Sequence, residues 1–553
     1  VTWWKNAIAY QIYPRSFQDS NGDGIGDIQG IIQRLSYLKE LGIDLIWICP
    51  IYQSPNDDNG YDISNYQAIL AEYGTMNDFD QLLEEVHQRG MRLIIDLVLN
   101  HTSDEHAWFI ESKVSKESKK RDWYIWRKGK DGQEPNNWAS IFGGSAWTFD
   151  EKTNEYYLHI FSKKQPDLNW ENQAVRHALY DTVNWWLEKG VDGFRIDAIS
   201  HIKKSPGLPD IPPTNQETYV PSFSKHMNQP GIHDWLLELK KETYGKYPVV
   251  TVGEANGVSA EESLLWVGKD QGKMDMVFQF EHLGLWDAEE NPILDIIALK
   301  KVLTKWQVAL ASDGWNALFL ENHDKPRIVS TWGNDKDYWY ESATALACMY
   351  FFMKGTPFIY QGQEIGMTNV HFEEMSSYYD ILTHHLYKDK QQKGWSHKEI
   401  MKLIWASSRD NSRTPMQWSS DSNAGFTEGK PWMETNENYT KINVTLQKNS
   451  NHSVLQFYKE MITLRKTHAT FIEGEYNLLF SNHKQIFAYT REDEEQRFLV
   501  IVNLSECNVT LNLNHQLVRD SSKLLLWNYQ AQGDISLSKK MELRPYEARV
   551  YRT

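Results

Sequence analysis

Cysteine is scarce. Three residues, Cys49, Cys348 and Cys507, stand far apart in a chain of 553. That count and spacing exclude a disulfide framework and a zinc-type cluster, and they fit a reducing compartment. Long apolar runs are also missing: no stretch approaches the ~20 residues of a membrane helix. The start, Val1-Thr2-Trp3-Trp4-Lys5, carries no basic segment followed by an apolar one. The chain is read as soluble and cytoplasmic, with no membrane partner. Positive charge is in deficit, with 58 Lys and Arg against 74 Asp and Glu and a formal net charge of −16. Without a basic stripe, phosphate-backbone contact and hence nucleic-acid binding are excluded. Aromatic residues, by contrast, reach 13%. Their faces stack on sugar rings, but they equally fill cores, so composition alone decides nothing.

Short β-branched or apolar runs alternate with helical patterns over most of the chain. The runs span 9–13, 45–49, 93–98, 193–197, 249–253, 276–280, 317–320 and 357–360. Eight strands in a βα rhythm predict an α/β fold, a closed (β/α)8 TIM barrel. Phe79, Leu82, Leu83 and Val86 recur at helical spacing, as do Val175, Leu179, Val183 and Trp186 before Gly190. Both sets read as the inner faces of outer helices. The rhythm breaks at 102–169, rich in Trp, Gly, Lys and Asn, which reads as a small inserted domain after strand three. The barrel then occupies 1–101 and 170–473. From 474 to 553 apolar and polar residues alternate, predicting a separate antiparallel β-sandwich domain. The charge run from Arg491 to Arg497 reads as a solvated hairpin tip.

In such a barrel the chemistry gathers at the C-terminal ends of the strands. Four ends are loaded: Asn100-His101, Arg195 with Asp197, Glu254, and Asn322-His323-Asp324. Arg195 and Asp197 are two apart and share a face, so the guanidinium can hold the carboxylate ionised, as a nucleophile requires. A structural ion pair is the competing reading of that dipeptide. Glu254 follows Val252-Gly253, and a carboxyl in a partly apolar pocket is pushed toward neutrality, which suits a proton donor. One carboxylate held charged beside one poised to donate is the glycosidase arrangement.

The segments Asp96-Leu-Val-Leu-Asn-His101, Gly193-Phe-Arg-Ile-Asp197, Gly253-Glu254-Ala255 and Glu321-Asn-His-Asp324 resemble the ordered motifs of glycoside hydrolase family 13, the α-amylase family. Gln165-Pro-Asp-Leu-Asn169 is similar to the mark of its oligo-1,6-glucosidase subfamily. The resemblance implies Asp197 as nucleophile, Glu254 as acid/base and Asp324 as the carboxylate that grips two sugar hydroxyls. It implies that His101, Arg195 and His323 complete the glucose subsite and that Tyr61 stacks on the sugar. Asp58 would pair with Arg413 to close the pocket, giving exo cleavage. Phe142, Phe161 and Gln165 would form its wall, although either phenylalanine alone could be ordinary core. The implied partner is a small oligosaccharide, handled by a monomer, and transglycosylation can compete with hydrolysis.

Asp19, Asn21 and Asp23 alternate, Gly24 allows a sharp turn, Ile25 offers a carbonyl, and Asp27 follows. This copies the start of an EF-hand loop, but Gly30 stands where the closing Glu belongs. The subfamily places a structural Ca2+ at the matching loop, so these residues are the expected ligands. For linkage, the subfamily tracks the residue after the nucleophile, valine for α-1,6 bonds and smaller or polar residues for α-1,4. Ala198 and the Ala255-Asn256 pair lean toward α-1,4 bonds of maltose and short malto-oligosaccharides, with isomaltase activity as the alternative. A sucrose isomerase is disfavoured because Phe280-Glu-His-Leu-Gly-Leu-Trp286 stands where that group carries Arg-Leu-Asp-Arg-Asp. Trehalose-6-phosphate hydrolysis lacks a clear basic cluster beyond Lys325. A transporter ectodomain would have lost its carboxylates.

Overall fold

The computed structural model describes residues 2–213, 218–519, 521–530 and 535–553. Eight parallel strands form the barrel: β1 (Ala9–Ile12), β2 (Leu45–Ile48), β3 (Arg92–Val98), β4 (Gly193–Asp197), β5 (Val250–Glu254), β6 (Met276–Phe278), β7 (Ala317–Leu318) and β8 (Thr356–Tyr360). Each pairs with its neighbours in order, β1 also pairs with β8, and a single Val277–Asn316 bridge closes β6 onto β7. The strands are almost wholly buried because helices cover their outer face, which is why they read as continuous apolar runs.

The periodic segments fold as their spacing dictates. Helix α1 (Ile28–Leu41) precedes β2, and α2 (Met76–Gln88) buries Phe79, Leu82, Leu83 and Val86. Thr75 and Asp78 form a capping box at the start of α2, satisfying two backbone donors that the helix cannot. Helix α3 (Gln173–Lys189) buries Val175, Leu179, Val183 and Trp186 and stops at Gly190, whose φ of 99° is the left-handed stop glycine tolerates best. Helices α4 (Ile232–Glu242), α5 (Ile296–Ala309) and α6 (Trp339–Phe351) continue the outer ring.

Between β3 and α3 the chain builds a three-stranded antiparallel sheet from Trp126–Arg127, Trp147–Asp150 and Glu155–Leu158. Its own small core contains Ile125, Trp138, Trp147, Leu158 and Ile160. Parts of the chain after β4 join it, since Val220–Pro221 pairs with Trp138–Ala139 and Leu208 and Ile211 pack on the same core. At the other end of the chain, Ile486–Glu492 and Arg497–Asn503 alternate between two cores. Ile486 and Ala488 face a separate β-domain core, while Phe487 and Tyr489 face the barrel. The tip between these strands is exposed, but Arg491 is fully buried and donates to the carbonyls of Phe352, Phe471 and Gly474. The expected solvated run therefore begins after Arg491, because three otherwise unpaired carbonyls between barrel and β domain require a multidentate donor.

Candidate active site

Strand β4 sets the centre. Phe194 and Ile196 turn outward into the apolar layer, so Arg195 and Asp197 point into the barrel. Gly193 has φ +136°, and a Cβ there would lie 1.8 Å from the Val250 carbonyl oxygen, so only glycine lets β4 and β5 approach this closely. The Arg195 guanidinium is 3% exposed and serves three carboxylates. Its Nη1 donates to Asp197 at 2.7 Å and to Asp96 at 2.9 Å, and Nη2 donates to Glu254. Burial opposes the guanidinium charge, but Asp96, Glu254, Tyr61 and Asp197 outweigh it.

The carboxylates divide unequally. Burial and then the charge of Glu254 push Asp197 well above the usual carboxylate range, against the pull of Arg195. The sequence expects Asp197 to be held ionised by Arg195, but burial and the neighbouring carboxylates outweigh that pull. The Asp197 side chain is the deeper, 12% exposed against 20% for Glu254. Asp324 goes the other way. Burial would raise it, but His323, Arg409, Arg413 and Arg195 hold it below the usual range. One site thus contains a carboxylate held charged, Asp324, and a carboxyl pushed toward its neutral form, Asp197.

Around them the pocket closes. Tyr61 stacks on His323, with ring centroids 5.3 Å apart and planes 8° apart, and donates its hydroxyl to Asp96 at 2.9 Å. Gln11 donates to Nδ1 of His323 at 2.8 Å, which leaves the His323 proton on Nε2, facing Asp324 at 3.4 Å. Burial lowers His323 to about 3 and His101 to about 4, so both are neutral hydrogen-bonding groups. Phe161 lies 5.1 Å from the His101 ring and 5.7 Å from Phe142, and Gln165 donates to Asp58 at 3.0 Å. Ala198 sits in the left-handed region, φ 45°, with its N–H 3.4 Å from Glu254. Asn256 is half-buried on the following turn, outside this hydrogen-bonded cluster.

The expected Asp58–Arg413 pair is replaced. Arg409 is the partner of Asp58, at 3.5 Å. Arg413, 2% exposed, is committed to the His323 carbonyl at 2.8 Å and to Asp324 at 3.0 Å. Arg409 begins the short turn Arg409–Ser412 and reaches the rim, joining Asp324 at 3.0 Å and Asp380 at 2.6 Å. Burial raises Asp58 to about 7 despite Arg409 and Arg413. Sequence reasoning missed Arg409, Asp96 and Asp380. Asp96 could have been found, since it opens a recognised motif and its register places it beside Arg195. Asp380 carries no local signal, because only the tertiary fold brings it under Arg409. Behind the pocket, Lys204 pairs with Asp167 at 2.6 Å and donates to Asn100 at 2.9 Å, tying the inserted segment to the end of β3.

The loop 19–27 is ordered by its own carboxylates. Asp19 accepts from the amides of Asn21, Gly22 and Gly24 and from the Thr427 hydroxyl. Asp23 accepts from the Ile25 amide and Asn21 from the Asp23 amide. Asp27 caps α1 and also accepts from Ser20. Among the described residues no three His, Cys, Asp or Glu side chains are gathered as a metal site. The side-chain oxygens of Asp19, Asn21, Asp23 and Asp27 and the Ile25 carbonyl are of the hard type that Ca2+ takes.

Residues 11–474 match the family described as alpha amylase, catalytic domain, and residues 486–550 match the C-terminal domain of the alpha-amylase SusG. The chain is 58% identical over 549 residues to a Bacillus subtilis (strain 168) protein named "Probable oligo-1,6-glucosidase 3", covering 99% of each. It is 52% identical to an oligo-1,6-glucosidase of Halalkalibacterium halodurans, covering 99% of this chain and 98% of the relative. The crystal structure of a Bacillus licheniformis trehalose-6-phosphate hydrolase superposes with a TM-score of 0.93 at 42% identity, covering 100% of both chains.

Proposed function

This chain belongs to the α-amylase family of glycoside hydrolases, family 13, and from that premise we propose that it is a retaining, exo-acting α-glucosidase for short α-1,6-linked glucose oligosaccharides. The observation that carries the chemistry is the sharing of one guanidinium, Arg195, by Asp197 and Glu254. Glu254 protonates the glycosidic oxygen as Asp197 attacks the anomeric carbon, breaking the glycosidic bond and forming a glucosyl ester. Glu254, now a carboxylate, takes a proton from water, which attacks the anomeric carbon, breaks its bond to the Asp197 oxygen and releases the carboxylate. Two inversions give net retention. Asp324, held charged, accepts hydroxyls of the glucose.

Exo action is supported by the closed end of the pocket, where Asp58, Gln165, Arg409 and Phe142 meet. A cavity of about 360 Å³ lies beside Asp324 and Arg409, bordered by Leu283, Trp286, Lys325 and Leu386. The α-1,6 linkage rests on the two relatives named oligo-1,6-glucosidase, and it replaces the α-1,4 preference expected from Ala198. The α-1,4 reading keeps one observation in its favour, the small side chain of Ala198 beside Glu254. A structural Ca2+ held by Asp19, Asn21, Asp23, Asp27 and the Ile25 carbonyl is part of the proposal, with a role in stability only. Among the described residues no helix is long and apolar enough to cross a membrane; action as a cytoplasmic monomer is proposed on the charge and cysteine content. Turnover of isomaltose and maltose at equal concentration tests the linkage: faster isomaltose cleavage supports it, and faster maltose cleavage returns the α-1,4 reading.

A further inference from the structure

Phe142 hangs from a turn with its own internal bracing. Gly143 and Gly144 follow it with φ of 94° and 74°. The Ser140 amide donates to Gly144 at 2.9 Å, the Gly143 amide donates back to Ser140 at 3.0 Å, and the Phe142 amide donates to the Ser140 hydroxyl at 3.1 Å. Two successive left-handed residues suit glycine, which has no Cβ to clash. The turn is a compact tip of the inserted domain. It presents the Phe142 ring to Phe161 on one side and to the Arg409 guanidinium, 5.5 Å away, on the other.

Opposite this tip lies helix α7 (Ile381–Gln392), which starts at the Asp380 cap and is mostly polar. Leu382, His385 and Leu386, at i, i+3 and i+4, face the tip across a cleft of about 590 Å³. Leu382 and Leu386 also border the cavity beside Asp324, so α7 is the ridge between the two openings. Lys390 anchors its far end to Glu289 in the segment after β6. Its start is tied to the rim through Asp380 and Arg409 and through Thr383 and the Ser408 hydroxyl at 2.7 Å, and it is joined to the tip where Nδ1 of His385 donates to the Phe142 carbonyl.

We propose that His385 is a positioning residue for the glucose pocket, latching the tip of the inserted domain onto α7 and so fixing the Phe142 wall over Arg409. The proposal rests on the reading of the chain as an exo-acting α-glucosidase, in which a closed pocket must surround one glucose. Phe142 and Arg409 stand at the closed end of the pocket, away from the bond that breaks, so their contacts serve ground state and transition state alike. Loosening them raises KM and spares kcat. His385 is itself exposed, and one neutral hydrogen bond near solvent is modest, which sets the effect at roughly 3- to 10-fold in KM.

The test compares wild type, His385→Ala and His385→Asn, measuring kcat and KM on isomaltose and maltose and amide hydrogen exchange over residues 138–146. Asn is the conservative variant because its amide nitrogen can take the place of Nδ1. His385→Ala is expected to raise KM as stated with kcat within about 2-fold and to speed exchange over 138–146, while His385→Asn restores both. An unchanged KM in His385→Ala, unchanged exchange, a loss confined to kcat, or failure of Asn to restore either readout overturns the latch. If wild type cleaves neither disaccharide, the activity reading fails by itself and the exchange comparison alone decides the latch.

Discussion

Arg195 puts one guanidinium nitrogen on Asp197 and the other on Glu254, so the two carboxylates that a double displacement needs are held to one rigid fork. A planar fork fixes both at once, and the compact ammonium of lysine cannot. Arg195→Lys is expected to lower kcat by about 10²- to 10³-fold, the scale of losing a preorganised electrostatic contact. Steady-state kinetics check it, and a loss under about 5-fold would mean the fork is not needed.

Asp58 gives a pH prediction. Burial raises its pKa to about 7 in the fold, above the roughly 3.9 of an unfolded aspartate. Between those values the folded chain binds the extra proton, so this group's contribution to stability falls as pH rises from about 4 to about 7. Asn mimics the protonated acid. Asp58→Asn is therefore expected to lose less Tm than wild type between pH 5 and pH 8, and to lose activity because Gln165 and Arg409 lose their carboxylate. Parallel Tm profiles would show that Asp58 is not the responsible group.

The 19–27 loop predicts a metal effect. Chelation with EDTA should lower Tm by several degrees, since a ligand bound only to the native state stabilises it, and added Ca2+ should restore it. Asp23→Ala should remove that response while leaving kcat near wild type. Calorimetry showing the same Tm with EDTA and with Ca2+ excludes the site.

Ala198 predicts a trade. Its φ of 45° is left-handed, where a β-branched side chain is strained by on the order of 1–2 kcal/mol. Ala198→Val should lower Tm yet raise the isomaltose-to-maltose rate ratio by crowding the leaving-group side of Glu254. A ratio unchanged within error would show that this position does not read the linkage.

The barrel was legible because strands buried on both faces and helices buried on one leave periods of their own. Leu93 to Val98 and Phe79 to Val86 show both patterns. The strand ends carrying Asp197 and Glu254 were legible for the same reason, since the last residue of a barrel strand has a fixed direction, whereas Asp324, in the loop after β7, was legible through its motif. Partners brought in by loops were not. Arg409, not Arg413, meets Asp58 because a short turn decides which guanidinium reaches the rim. Asp380 and His385 sit on a helix whose place over the mouth has no signature in local sequence. The upward push on Asp197 comes from its depth and its charged neighbours, which spacing does not encode.

Retention by a covalent glucosyl-Asp197 intermediate is the central claim, and the anomer first released tests it most directly. A proton NMR time course of p-nitrophenyl α-glucoside cleavage, whose only glucose comes from the cleaved unit, recorded faster than mutarotation, should show α-glucose before β-glucose. β-Glucose appearing first would mean that water attacks directly, and would contradict the assignment of Asp197 as nucleophile.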